Sequence, residues 1–330
     1  MTLAHYELAD RTTRDDGTVF LTGVQALARL PVEQLRVDRR AGLNTAAFAS
    51  GYPGSPLAGL DMALERAARE APGLPIVLRP ALNEELGVSA VMGSQLASSR
   101  PDAVYDGVVG LWYGKAPGLD RSSDALRHAV FTGTSRRGGA VALVGDDPAA
   151  RSSTLPSSSD ATFVDLHLPI LYPGDVAQAL DLGRHAIALS RASGLWVGLK
   201  VVSSVADGTG SVVLDPERVS PRMPTVDGEP YECRPDALLL GAHSMEIERE
   251  LRGIRSDLAV AYGELNGLNR PTVQCEDAWL GIIASGVTHR ELMEALRRLG
   301  LDTATLARCG IRVLEMQMPI PFSPGVVRGF

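Results

Sequence analysis

Few side chains in this sequence stand where they could do chemistry. Glu84 and Glu85 follow Asn83 directly, and Lys115 is one of only two lysines, the other being Lys200. Ser55 lies in the run Gly51-Tyr52-Pro53-Gly54-Ser55-Pro56, and Asp146-Asp147 precede Pro148. A positioned carboxyl can exchange a proton with a bound base, and a lysine in a Gly-rich loop can hold a carboxylate. Each has a plainer alternative: a Glu that favours a helix N-terminus, a turn serine, a solvated lysine, an Asp pair that caps a turn. His128 and His185 fall in helical segments without a carboxylate or Cys partner at useful spacing. No Ser-His-Asp or metal-ligand pattern emerges. Cys233, Cys275 and Cys309 are far apart and form no CxxC pair, so they read as inert thiols rather than iron–sulfur or zinc ligands.

The elements that must hold these residues alternate between short β-branched runs and longer helical patterns. Residues 23–40 fit a helix broken near Pro31. Thr45 to Ala49 reads as a buried strand that ends in the Gly51–Pro56 turn, followed by a helix over 57–70. A strand over 75–78 leads to Asn83, which can cap a helix through Val88, Val91 and Leu96. Ala90, Gly93 and Ala97 keep one face of that helix small. Further strands are expected over 104–113, 140–144, 169–171 and 195–202, with a turn over 114–118, a helix through Leu126, and a helix started by Pro173-Gly174-Asp175 and running to about Ser190. Residues 151–160 read as a loop, because six of the ten are Ser or Thr. Such repetition predicts a mostly parallel sheet covered on both faces, with ligands gathering at the carboxyl ends of its strands. The pattern stops near Val205, where a Gly-, Pro- and Asp-rich connector leads to a charged helix over 245–265. A second α/β unit begins at Trp279, with strands over 280–285 and 311–316 around a helix over 288–299. Its Ser285-Gly286 turn lacks a G-x-G-x-x-G pattern and reads as a turn only.

Composition narrows the function classes. The chain has 330 residues, 45% hydrophobic and 22% charged, with a formal net charge of −7. These values suit an ordinary globular protein of about two domains rather than a disordered or coiled-coil one. With so little lysine there is no basic stripe for nucleic acid. No apolar run reaches the roughly 18 residues of a membrane span, and residues 1–16 lack a signal-peptide core. A cytoplasmic location is expected.

Longer strings carry a resemblance. Glu84 opens a helix directly after a strand, Gly93 follows nine residues on, and the next strand ends in a Gly–x–x–Pro–Gly loop. This resembles the pyrimidine-binding domain of thiamine diphosphate enzymes. The runs Gly42 to Ala46, Gly51 to Leu57, Asn83 to Leu86 and Trp112 to Arg121 resemble the first domain of the 2-oxoacid:ferredoxin oxidoreductases. Gly145-Asp146-Asp147-Pro148 with Ser152-Ser153 narrows the resemblance to the N-terminal part of indolepyruvate ferredoxin oxidoreductase in its long fused bacterial form. Residues 279–287 and 310–319 resemble the start of that family's transketolase C-terminal-like domain.

The resemblance implies a thiamine diphosphate pyrimidine-binding domain over 1–206 and a connector with a linking helix over 207–271. A partial transketolase C-terminal-like domain over 272–330 follows, with the chain expected to stop inside it. Glu84 would approach the ring nitrogen N1′ of the aminopyrimidine and promote loss of the thiazolium C2 proton, with Tyr52, Pro53 and Gly118 also binding the cofactor. A carboxyl shielded from water shares a proton with that nitrogen more readily, and Glu85, one position round the helix, would face elsewhere. Ser55 and Lys115 would meet the substrate carboxylate, and no metal ligand is expected here. Mg2+ and a 4Fe-4S cluster would belong to absent domains or partner chains. The family reaction implies an arylpyruvate such as indolepyruvate, coenzyme A and ferredoxin as reaction partners, and a dimer. The competing readings are a catalytically incomplete fragment or assembly module, and a non-oxidative thiamine diphosphate enzyme; the Trp-Tyr-Gly-Lys and Asp-Asp-Pro strings weigh against the last.

Overall fold

The computed structural model describes residues 6–151 and 153–330, so Ser152, part of one motif above, lies outside the described residues. The first elements are α1 (Asp10–Thr13), β1 (Gly17–Thr22), α2 (Gly23–Arg40), β2 (Thr45–Gly51), α3 (Leu60–Glu70), β3 (Ile76–Leu78), α4 (Glu84–Ala97) and β4 (Gly107–Lys115). Next come α5 (Ala116–Arg121), α6 (Ser123–Thr132), β5 (Ala140–Asp146), α7 (Asp160–Asp165), β6 (Ile170–Leu171), α8 (Val176–Ser193), β7 (Trp196–Val202), α9 (Ser203–Ala206) and β8 (Thr209–Leu214). Beyond a small hairpin, β9 (Thr225–Val226) and β10 (Glu229–Pro230), lie α10 (Gly241–Glu250) and α11 (Ser256–Leu265). The last stretch holds β11 (Asn269–Val273), β12 (Leu280–Ser285), α12 (Gly286–Arg298), α13 (Thr303–Arg308), β13 (Ile311–Met316) and α14 (Pro324–Gly329).

Six parallel strands form one sheet in the order β3-β2-β4-β5-β7-β6. Its strands are near-continuous apolar runs because both faces are covered. Trp112 and Gly110 of β4 face α4, while the neighbouring residues Val109, Leu111 and Tyr113 face the side where α2 and α8 pack together. The chain runs from β2 outward to β3 and then returns across β2 to β4. The strand order therefore reverses between β2 and β4, and their carboxyl ends flank the crevice where open α/β sheets take ligands.

Several elements differ from the sequence expectation. Pro31 does not break α2, which runs unbroken through it. A capping box between Thr22 and Gln25 starts the helix, and burial of Leu27, Leu30, Val32 and Leu35 outweighs the roughly 3 kcal/mol an interior proline costs. The expected turn over 114–118 is instead the end of β4 and the first turn of α5, where Pro117 sits at a position that needs no N–H. The helix expected over 245–265 is interrupted by a π-helical turn at Leu251–Arg255, where Gly253 leaves helical geometry and Arg255 turns inward to donate to the carbonyl of Val130 at 3.0 Å. β1 was not foreseen, and it pairs antiparallel with β8, from within the expected connector. A Cβ on Gly93 would meet nothing within 4 Å, so among the described residues no second helix packs on it.

The C-terminal residues form a three-stranded sheet, β11-β13-β12, with β11 antiparallel and lying across the expected boundary at 271. A small cluster of Val273, Leu306 and Val313 forms its own core, while Leu268 and Met318 join the main one. Backbone bonds from Ile170 to Ile320 (2.7 Å) and from Tyr172 to Gln317 (2.9 Å) fasten the unit to β6.

Candidate functional site

Glu84 is the first residue of α4. The Asn83 side chain accepts from the N–H of Leu86 at 2.9 Å and sets where the helix begins. The turn of about 100° per residue then separates the two acids: Glu84 is buried, with 7% of its surface exposed, and Glu85 faces solvent. Trp112, fully buried in β4, donates its indole N–H to the carbonyl of Glu84 at 3.0 Å. Gly87 allows this approach: a Cβ there would lie 3.0 Å from Cα of Gly51 and 3.2 Å from Nε1 of Trp112.

The other candidates gather at the same sheet edge. A Cβ on Gly118 would lie 2.8 Å from Oε1 of Glu84, so only a glycine lets the start of α5 pack this closely on the Glu84 side chain. The Gly51–Pro56 segment is stitched in from both directions. The N–H of Ala81 donates to the carbonyl of Gly51 at 2.9 Å, and the N–H of Tyr52 donates to Tyr113 at 3.1 Å. Gly54 lies against the stem of Lys115, where a Cβ on it would come 3.2 Å from Cδ, and Pro56 packs on Gly145 at the end of β5. The Tyr52 ring is 44% exposed, and Pro53, Ser55 and Lys115 are half-buried. Lys115 has no carboxylate within 4.0 Å among the described residues. Glu84 and Gly118 are in direct apposition; Tyr52, Pro53, Ser55 and Lys115 form the adjacent rim.

Asp146 and Asp147 have a different task. Asp147 accepts from the backbone N–H of Arg151 at 3.0 Å and of Ser153 at 2.9 Å, and from the Ser203 hydroxyl at 3.0 Å. Asp146 accepts from the N–H and hydroxyl of Ser159 at 3.0 and 3.1 Å. Together they moor both ends of the Ser-rich loop. Burial pushes the Asp146 carboxyl up, with Lys200 at 3.5 Å pulling the other way. The Lys200 ammonium sits 2.5 Å from Asp160 and 4.9 Å over the Tyr172 ring. Burial raises Asp160 as well, but its bonds from Lys200 and Ser158 prevail and hold it below the usual carboxylate range. Among the described residues no group of three or more His, Cys, Asp or Glu is placed to hold a metal. His185 bonds the Tyr262 hydroxyl at 2.9 Å, and burial lowers it to about 4, which removes it as a base near neutrality.

Trp112 entered the sequence reading only as the start of a motif and Gly87 not at all, although a buried tryptophan usually finds an acceptor for its N–H.

No protein-family model matches the chain. Indolepyruvate oxidoreductase subunit IorA of Methanothermobacter thermautotrophicus is 27% identical over 317 residues, covering 96% of this chain and 45% of the relative. The subunit of the same name from Archaeoglobus fulgidus is 27% identical over 292 residues, covering 87% of this chain and 42% of the relative. The chain thus spans less than half the length of these curated relatives. Among solved structures, the 2-oxoglutarate:ferredoxin oxidoreductase from Magnetococcus marinus, with 2-oxoglutarate, coenzyme A and succinyl-CoA bound, superposes with a TM-score of 0.69. It shares 17% identity and covers 96% of this chain and 56% of that one. In sequence the chain is a relative of the indolepyruvate oxidoreductase IorA subunits, and its α/β fold is that of a 2-oxoacid:ferredoxin oxidoreductase.

Proposed function

We propose that this chain forms the pyrimidine-binding side of a thiamine diphosphate-dependent oxidoreductase that decarboxylates an arylpyruvate, such as indolepyruvate, to its acyl-CoA and reduces ferredoxin. The observation that carries this reading is the buried Glu84 side chain at the strand-order reversal, faced by the glycine at 118 rather than by another side chain. Residues 1–206 hold the pyrimidine side, 207–271 connect, and 272–330 correspond to part of a transketolase C-terminal-like domain. Partner subunits or further domains supply the diphosphate and Mg2+ site and the iron–sulfur clusters.

The residues present suit the cofactor. A single protonatable carboxyl, shielded from water and faced by a glycine rather than a side chain, matches what a flat aminopyrimidine requires. Thiamine diphosphate, when bound, supplies a carbon nucleophile for the 2-oxo group. Glu84 holds and returns a proton at N1′ of the ring. Tyr52 and Pro53 wall the cofactor site, and Gly118 packs beside the Glu84 side chain there. Lys115 and Ser55 orient the substrate carboxylate, Lys115 as the cation and Ser55 as a hydroxyl donor.

The test is reduction of a viologen dye by the chain purified with its native partners, in the presence of indolepyruvate and coenzyme A. Dye reduction by that assembly and none by the chain alone is expected. Dye reduction by the chain alone, or an assembly that turns over no 2-oxoacid, contradicts the reading.

A further inference from the structure

We infer that Trp112 is a positioning residue for Glu84: its indole N–H fixes the first turn of α4 and thereby the direction in which the carboxylate leaves the helix. The inference rests on the role proposed for Glu84. A carbonyl in the first turn of a helix has an intrahelical donor four residues on, so it does not need a second. The carbonyl of Glu84 takes one anyway, from Trp112 Nε1 at 3.0 Å, with both residues buried.

The surroundings are built to admit that bond. A Cβ on Gly114 would lie 2.8 Å from the Trp112 ring, and one on Gly87 would lie 3.2 Å from Nε1. Any larger residue at either place would push the indole or the helix away. On the far side of Glu84, a Cβ on Gly118 would lie 2.8 Å from the carboxylate. The Asn83 cap sets where α4 starts, buried Val88 and Val91 with the Gln95 bond to the Val108 carbonyl at 2.9 Å set its rotation, and the indole holds its first turn against β4.

The test replaces Trp112 site-specifically with 3-benzothienylalanine, which keeps the shape of the indole and puts sulfur where the N–H stood; Trp112→Phe serves as a second variant. In the chain labelled with 13C at the glutamate carboxyls, the Glu84 signal is the one lost in Glu84→Gln. The expected result is a displaced Glu84 signal with Glu85 unmoved, and, in the assembly with native partners, thiamine diphosphate C2 proton exchange slowed on the order of tenfold to a hundredfold. Cofactor affinity and the far-ultraviolet circular dichroism spectrum stay as in the parent. An unmoved Glu84 signal overturns the inference, and so does a moved signal with undiminished exchange. If Glu84→Gln itself leaves exchange intact, the failure lies with the role proposed for Glu84; if Glu84→Gln stops exchange and neither Trp112 variant slows it, only the role of Trp112 fails.

Discussion

Glu84 and Glu85 are the same residue type in adjacent positions, and one helical step separates their environments. Glu85→Gln is therefore expected to leave turnover of the assembled enzyme within a few-fold of the parent, because an exposed carboxylate loses little on becoming an amide. A loss as large as that of Glu84→Gln would mean α4 is rotated by a residue. Lys115 sits at the rim with its stem on Gly54 and no carboxylate partner within 4.0 Å. Lys115→Met should raise KM for the 2-oxoacid by about tenfold or more, the worth of one charge-assisted bond, with thiamine diphosphate affinity unchanged. An unchanged KM in steady-state assays would remove Lys115 from the substrate site. At this scale much was legible, because the Asn83 cap fixes which glutamate comes first. The bond from Trp112 was not, since it joins residues 28 apart in sequence through a gap that only Gly87 leaves.

Two elements owe their positions to buried carboxylates. Asp38, near the end of α2, receives both arms of Arg191 from α8 at 2.8 and 2.7 Å, and bonds from Thr45 of β2 and Gln34. Burial alone would raise its carboxyl, but these bonds together hold it below the usual carboxylate range. With the folded value depressed, the stabilisation is complete above the unfolded value near about 4 and fades as pH falls through the lower folded value. Asp38→Ala should cost about 3–5 kcal/mol at neutral pH, since it strands a buried guanidinium. Urea unfolding at pH 7 and below pH 4 should show the gap between parent and variant narrowing in acid; a constant gap would deny the linkage. Asp147→Ala should unmoor the Ser-rich loop, costing about 2–4 kcal/mol through lost charge-assisted bonds. Hydrogen exchange at the Arg151 and Ser153 amides reports it directly, and retained protection there would show that other contacts hold the loop. Sequence periodicity revealed α3, α4 and the central strands, but not the continuity of α2 through Pro31 or the pairing of β1 with β8. Val19 and Leu21 alternate with exposed positions as a strand should, yet their partner lies nearly two hundred residues away, at a separation no local pattern encodes.

Across the whole molecule, the main core continues from β1 to the start of β11, whereas the small sheet beyond it has a core cluster of Val273, Leu306 and Val313. Residues 215–240 carry only the two-residue strands β9 and β10 between the units. Limited proteolysis is expected to cut first in that stretch, leaving a protected N-terminal piece; a first cut inside α8 or β7 would contradict this distribution of stability. The measurement that bears most directly on the central claim is C2 proton exchange of thiamine diphosphate, followed by deuterium washout in the chain purified with its native partners. Glu84→Gln preserves size and hydrogen bonding but cannot exchange a proton with N1′, so exchange should fall to the rate of the free cofactor while affinity holds. Undiminished exchange in Glu84→Gln, with the cofactor bound, would contradict the account.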